Sequence, residues 1–141
     1  MKHLPLLCTL VVAPTSAVAS GFCERMPLDP EVPAGIAGSY EVIGRDPVTS
    51  SAYTGTLALT YGKSSYLITR SILGKKVNGE AWIERCGMDT IKVLTARYYT
   101  KPVTEISCTF NTDGGNYYRT TCRTRQGQGD WRGLEAWFQQ R

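Results

Sequence analysis

From Gly38 onward the chain is built of short runs in which apolar and polar residues alternate, and a period of two is the signature of half-buried strands. Eight such runs are predicted: GSYEVIG (38–44), AYTGTLALT (52–60), SYLITRSI (65–72), VNGEAWIE (77–84), TIKVLTARYY (90–99), VTEISCTF (103–110), YYRTTCRTR (117–125) and WRGLEAWFQ (131–139). Long 3.6-residue apolar periods are missing there, because Gly and β-branched residues interrupt every candidate helix. The linkers RDPVTS, YGKS, LGKK, RCGMD, TKP, NTDGGN and QGQGD offer Gly, Asp or Asn where tight turns need a positive φ or a side-chain cap. Ahead of the first strand, CERMPLDPEVPAGIA (23–37) has three prolines and no period, and reads as an extended arm.

Eight short strands on short links suit a single all-β domain, an antiparallel eight-stranded meander closing into a small barrel. Closure would leave no unpaired edge. A two-sheet β-sandwich fits the same string. Alternation then proposes inward positions: Tyr40 with Val42, Leu57 with Leu59, Ile91 with Val93 and Thr95, and Ile106 with Cys108 and Phe110. In the last strand Leu134, Ala136 and Phe138 oppose Trp131, Glu135 and Trp137, so neither face is bland; Phe138 is placed inside with the other large apolar residues.

The first residues change the compartment. A charged start at Lys2, the apolar run LPLLCTLVVA (4–13), and small Ala17 and Ala19 before Ser20 form the layout of a signal peptide spanning 1–19. The expected mature chain is an arm (20–37) followed by a barrel domain (38–141). The apolar run is too short to span a bilayer, and Phe22 before Cys23 does not fit a lipoprotein signal. A soluble product in the periplasm or the medium is expected. Loss of Lys2 lowers the formal charge from +4 to +3, and loss of His3 and Cys8 leaves no histidine and four cysteines.

Those four, Cys23, Cys86, Cys108 and Cys122, predict two disulfides in an oxidising compartment; no C-x-x-C spacing suggests a metal. Three pairings are formally open. A hairpin centred on Asp113-Gly114-Gly115-Asn116 sets Cys108 across from Cys122, Ile106 across from Thr124, and Phe110 across from Thr120. The preferred remaining pair, Cys23 with Cys86, would staple the arm to the turn after the fourth strand.

Catalytic sets are largely excluded. Without histidine there is no Ser-His-Asp or Cys-His arrangement and no imidazole base. No phosphate-binding glycine loop appears, and NTDGGN (111–116) is an incomplete calcium loop, better read as a turn. The carboxylates Glu80, Glu84, Asp89, Glu105, Asp113, Asp130 and Glu135 have no spacing that forces a pair together. No cofactor is expected, and no enzymatic activity.

Binding is left. Tyr117, Arg119, Arg123 and Arg125 share one strand face opposite Cys122, and with Trp131, Arg132 and Trp137 they form the candidate interface, since Arg, Tyr and Trp dominate interaction hot spots. Its ordinary alternative is a solvated face with arginines paired to Glu105 or Glu135. Nucleic acid is not expected at so small a net charge. Alternatively, eight strands can enclose one small apolar or amphipathic ligand. The Lys75-Lys76 turn and the arm from Glu24 to Val32 are then the segments that would rim its mouth.

The run Gly38-Ser-Tyr-Glu-Val-Ile-Gly44, Tyr53-Thr-Gly-Thr-Leu-Ala-Leu59, Gly62, Tyr66-Leu-Ile68, the paired glycines before a strand and the closing Trp131-Arg-Gly-Leu-Glu135 resemble small exported bacterial β-barrel proteins of lipocalin-like or avidin-like form. The resemblance covers about residues 38–138 and implies a meander barrel without naming a ligand. Tyr40 stands where the lipocalin G-x-W opening has Trp. Envelope proteins of this size and style include inhibitors of lysozymes and immunity proteins. The leading expectation is an exported protein acting by contact with another envelope or secreted protein, as an inhibitor or immunity factor would; the alternative is a ligand held inside the barrel.

Overall fold

Alternation along every run is resolved by curling the sheet until its apolar face lines a closed interior. A computed structural model describes residues 22–112 and 117–141. The leader expected at 1–19 and the Asp113–Asn116 turn lie outside the described residues. Nine strands are present among those residues: β1 (Cys23–Arg25), β2 (Gly38–Arg45), β3 (Ala52–Tyr61), β4 (Tyr66–Ile72), β5 (Lys75–Cys86), β6 (Ile91–Tyr98), β7 (Thr104–Thr112), β8 (Tyr118–Gln126) and β9 (Gly133–Gln139). From β2 to β9 each strand pairs antiparallel with the next, and β9 returns to β2 with Val42 opposite Trp137. The ring is an eight-stranded up-and-down barrel rather than a sandwich, and β1 is an added strand on the far end of β5.

Both disulfides form in the preferred pairing. Cys108 lies opposite Cys122, with Ile106 opposite Thr124 and Phe110 opposite Thr120. Cys23 lies opposite Cys86, tying the arm to the end of β5. Two disulfides fit an oxidising compartment. Among the described residues no helix is long and apolar enough to cross a membrane.

Tyr40, Val42, Leu57, Leu59, Ile106 and Cys108 are buried inward, as alternation indicated, and Phe110 is half-buried against them. Two strands need correction. In β6 the interior receives Leu94, Ala96 and Tyr98, whereas Ile91 is exposed and Val93 and Thr95 are only half-buried. Both faces of that strand carry apolar residues, so its period alone could not choose. In β9 the inward side chains are Glu135 and Trp137, and Phe138 stands on the outer side, where Arg119 lies over its ring at 6.0 Å.

The arm plugs one end of the barrel. Ile36 is fully buried and its carbonyl accepts from the Tyr40 hydroxyl; Tyr118 donates to the Ala34 carbonyl at 2.8 Å, and Gln139 Nε2 to Gly35 at 2.7 Å. Met26 and Leu28 pack against the same core. The arm therefore lies opposite the mouth and does not rim it, contrary to the expectation for Glu24–Val32. Its prolines are the reason: a segment that cannot join the sheet ladder is free to cross over its end.

Candidate functional site at the open end

Strands β2, β4, β6 and β8 all finish at the unplugged end, so residues 46–51, 73–74, 99–103 and 127–132 form one rim. The interior changes character on the way there. Near the arm it is filled by Tyr40, Leu59, Tyr66, Ile68 and Trp137. Toward the rim the inward positions are Tyr53 and Gly55 on β3, Arg70 and Ile72 on β4, Val77 on β5, Thr104 on β7, Thr124 and Gln126 on β8, and Gly133 and Glu135 on β9. Small and polar residues fill less space, and a cavity of about 450 Å³ opens there, lined by Tyr53, Arg70, Ile72, Val77, Thr104 and Thr124 among others.

The floor of the cavity is a buried ion pair. Arg70 Nη1 contacts Glu135 Oε1, and the two side chains are 13% and 0% exposed. The same carboxylate accepts from Tyr53 Oη at 2.5 Å and from Trp137 Nε1 at 2.7 Å. The guanidinium also lies 4.2 Å from the centre of the Tyr98 ring. Burial works to lower the pKa of Arg70, but Glu135, followed by Tyr98 and Tyr53, outweighs it, and the group is held in its cationic form. Burial, then the Glu135 charge, pushes the Tyr53 and Tyr98 hydroxyls upward, so both stay protonated. Among the described residues two hydroxyls in this half, on Tyr98 and Thr124, are buried with no hydrogen-bond partner. Buried polar atoms are nearly always satisfied, and Thr124 lines the cavity. A third such atom, the Tyr66 hydroxyl, lies in the plugged half, where burial pushes its pKa up to about 12.

Sequence reasoning did not find this floor. Its signal was available: Arg70 shares its face with Tyr66 and Ile68, and Glu135 with Trp137, so two opposite charges sit at inward parity on different strands. The Lys75-Lys76 turn does reach the mouth, where Lys75 lines the cavity.

The predicted interface residues separate into groups. Arg119 and Arg123 are exposed and Arg125 half-buried on the outward side of β8. Arg125 donates to Glu105 Oε2 from Nε at 2.7 Å and stacks over Trp131 at 4.6 Å. Arg132 pairs with Asp130 at 3.0 Å, both well exposed. Tyr117 stands at the other end of β8 beneath Arg141, about 27 Å along the strand from Arg125. Trp137 is a correction: it is fully buried inside the barrel and belongs to the floor, not to an outer face. Register adds what spacing could not show. On the outer side of β2, β9 and β8, Leu134 lies between Arg45 and Arg123, and Phe138 lies between Glu41 and Arg119. Leu134 and Ile43 are 49% and 54% exposed there.

One group has the composition of a metal site, Cys23, Glu84 and Cys86. Its two sulfurs are joined in the disulfide, and the carboxylate accepts from Trp82 and Thr95, so no thiolate is offered. Comparison with protein families, curated proteins and solved structures finds no match for this chain.

Proposed function

We propose that this protein is a non-catalytic exported binding barrel that holds one small amphipathic molecule in its open end. The supporting observation is the cavity of about 450 Å³ above a buried Arg70–Glu135 pair, with the Thr124 hydroxyl left without a partner in its wall. That volume lies within the range of small-ligand sites. Apolar Ile72 and Val77 form one part of the wall, and Tyr53, Arg70 and Thr124 supply directional polar contacts deeper in. Glu135 already accepts from Arg70, Tyr53 and Trp137, which argues against its use as a general base.

The test uses 1-anilinonaphthalene-8-sulfonate, an amphipathic anion, with dodecanoate as competitor. Saturable one-to-one binding is expected, lost in Val77→Trp, which fills the cavity. Absence of saturable binding, or binding unchanged in Val77→Trp, would refute the proposal.

Contact with another envelope or secreted protein, as an inhibitor or immunity factor, is the second possibility. It is favoured by the outer row of Arg45, Leu134 and Arg123, where an exposed apolar side chain is flanked by two arginines. Arg125 and Arg132 support it less, being engaged by Glu105 and Asp130. Arg123→Ala should weaken capture of such a partner while thermal stability stays near wild type; unchanged capture would count against it.

A further inference from the structure

Each of the four mouth segments exposes an apolar side chain. Val48 is 68% exposed, Leu73 95%, Tyr99 61% and Trp131 38%. Leu73 is the least expected of them. It occupies a two-residue turn with Gly74 in which both residues have positive φ, 50° and 75°. Such turns favour Asn or Asp followed by Gly, because a branched or bulky side chain is strained at positive φ. A leucine there gives up backbone comfort and gains no burial within the chain. At the plugged end, exposed Phe22, Met88 and Ile91 gather at one corner beside the Cys23–Cys86 disulfide, with Asp89 in the same turn, while Tyr61, bonded to the Pro30 carbonyl of the arm, and Leu67 flank the β3–β4 turn. The mouth residues instead come from four separate segments around a cavity.

Charge accompanies them. Lys75, Lys76 and Lys101 line one hollow of about 530 Å³ beside the mouth with Val77, Tyr99 and Gln126 among others, and no carboxylate among the described residues lines it. None of the ion pairs among the described residues involves these lysines. Two acids lie on the rim away from these lysines: Asp46 is turned to its own segment and accepts from the amides of Val48 and Thr49 at 2.8 Å, and exposed Asp130 is paired with Arg132 at 3.0 Å.

We propose that the open end of the barrel docks on an anionic lipid surface, with Val48, Leu73 and Trp131 entering the interfacial layer and Lys75, Lys76 and Lys101 meeting headgroup phosphates. Apolar tips on a basic rim match the two attractions that hold a protein on such a surface: burial of apolar side chains among acyl chains, and cation attraction to anionic headgroups. Tryptophan beside arginine suits the same interfacial zone. The surface belongs to the rim, so it stands whether or not the cavity holds a ligand.

Cosedimentation with equimolar phosphatidylglycerol–phosphatidylcholine vesicles tests it, phosphatidylcholine vesicles serving as the uncharged arm. Wild type is expected to bind the anionic vesicles and to bind the neutral ones at least ten-fold more weakly. Leu73→Asn suits the positive φ and keeps the fold; combined with Val48→Ser it should weaken binding about ten-fold or more. Each Lys→Gln change at 75, 76 or 101 should weaken it about five-fold. Ile72→Trp, which fills the cavity from a position outside the lysine hollow, should leave vesicle binding intact, which separates this surface from the cavity. Three results would overturn the proposal: no binding to anionic vesicles, equal loss from Lys63→Gln and Lys92→Gln at the plugged end, or a concentration-dependent dimer abolished by Leu73→Asn without vesicle binding.

Discussion

Glu135→Gln isolates the ion pair at the floor of the cavity. The substitution keeps the shape of the side chain but leaves the Arg70 guanidinium, 13% exposed, facing a neutral amide. Breaking a buried pair by removing one partner costs about 3–5 kcal/mol, because the remaining charge loses its paired counter-charge where little water reaches it. That is a large share of the 5–15 kcal/mol that keeps a typical domain folded. With a urea dependence of about 2 kcal/mol per molar, the unfolding midpoint should fall by roughly 2 M. Arg70→Met combined with Glu135→Gln removes the stranded cation, while the oxygen of the introduced amide can still accept from Tyr53 or Trp137. The double variant should recover about 2 kcal/mol or more relative to Glu135→Gln. Urea unfolding of the Arg70→Met, Glu135→Gln and double variants with disulfides intact, followed by circular dichroism, measures the cycle. A Glu135→Gln loss below about 1 kcal/mol, or singles that add to the double within about 0.5 kcal/mol, would refute the account of the floor.

Thr124→Val removes a buried hydroxyl with no partner and keeps the branched shape, so stability in thermal unfolding should be unchanged or higher by up to about 1 kcal/mol; a clear loss would mean the hydroxyl is bonded. Replacing Cys23 and Cys86 by Ala should cost about 4 kcal/mol from loop closure over a separation of 63 residues, against about 3 kcal/mol for Cys108 and Cys122 over 14. The reverse order in urea titrations would show that chain constraint does not set their contributions. The backbone amide of Thr49, ahead of that of Val48, holds the Asp46 carboxyl below its ordinary 3.8, and this contribution to stability is present above that pH and lost as pH falls through the folded value. The melting-temperature gap between wild type and Asp46→Ala should therefore narrow as pH is lowered from about 6 to about 2; a constant gap would contradict it.

The strand inventory was legible because alternation and turn residues agree almost everywhere in this chain. Register at the Cys108–Cys122 hairpin followed from counting outward from one turn, since a slip of one residue would have sent Ile106 and Phe110 to solvent. β6 misled for a physical reason: Ile91 and Val93 are as apolar as Leu94 and Ala96, and only the barrel's curvature decides which row is inside. Phe138 and Trp137 posed the same ambiguity, settled by Glu135, whose buried charge needs both the Trp137 indole and Arg70 on a strand 65 residues away. Parity places each of the two charges inside, but nothing local to either strand pairs them. The rim was equally hidden, because Val48, Leu73, Tyr99 and Trp131 look like stray exposed residues until the topology gathers their segments at one end.

Pairing of β2 with β9 brings Tyr40 opposite Gln139, so the first full strand waits for the last before the ring can shut. Until then two raw edges are open to any passing extended chain. A nonsense change or proteolytic nick that removes β9 should accordingly leave an adhesive, polymerising sheet rather than a slightly weaker barrel. The closing strand is also the one that carries Glu135, so the same late step completes the perimeter and neutralises the cation within it.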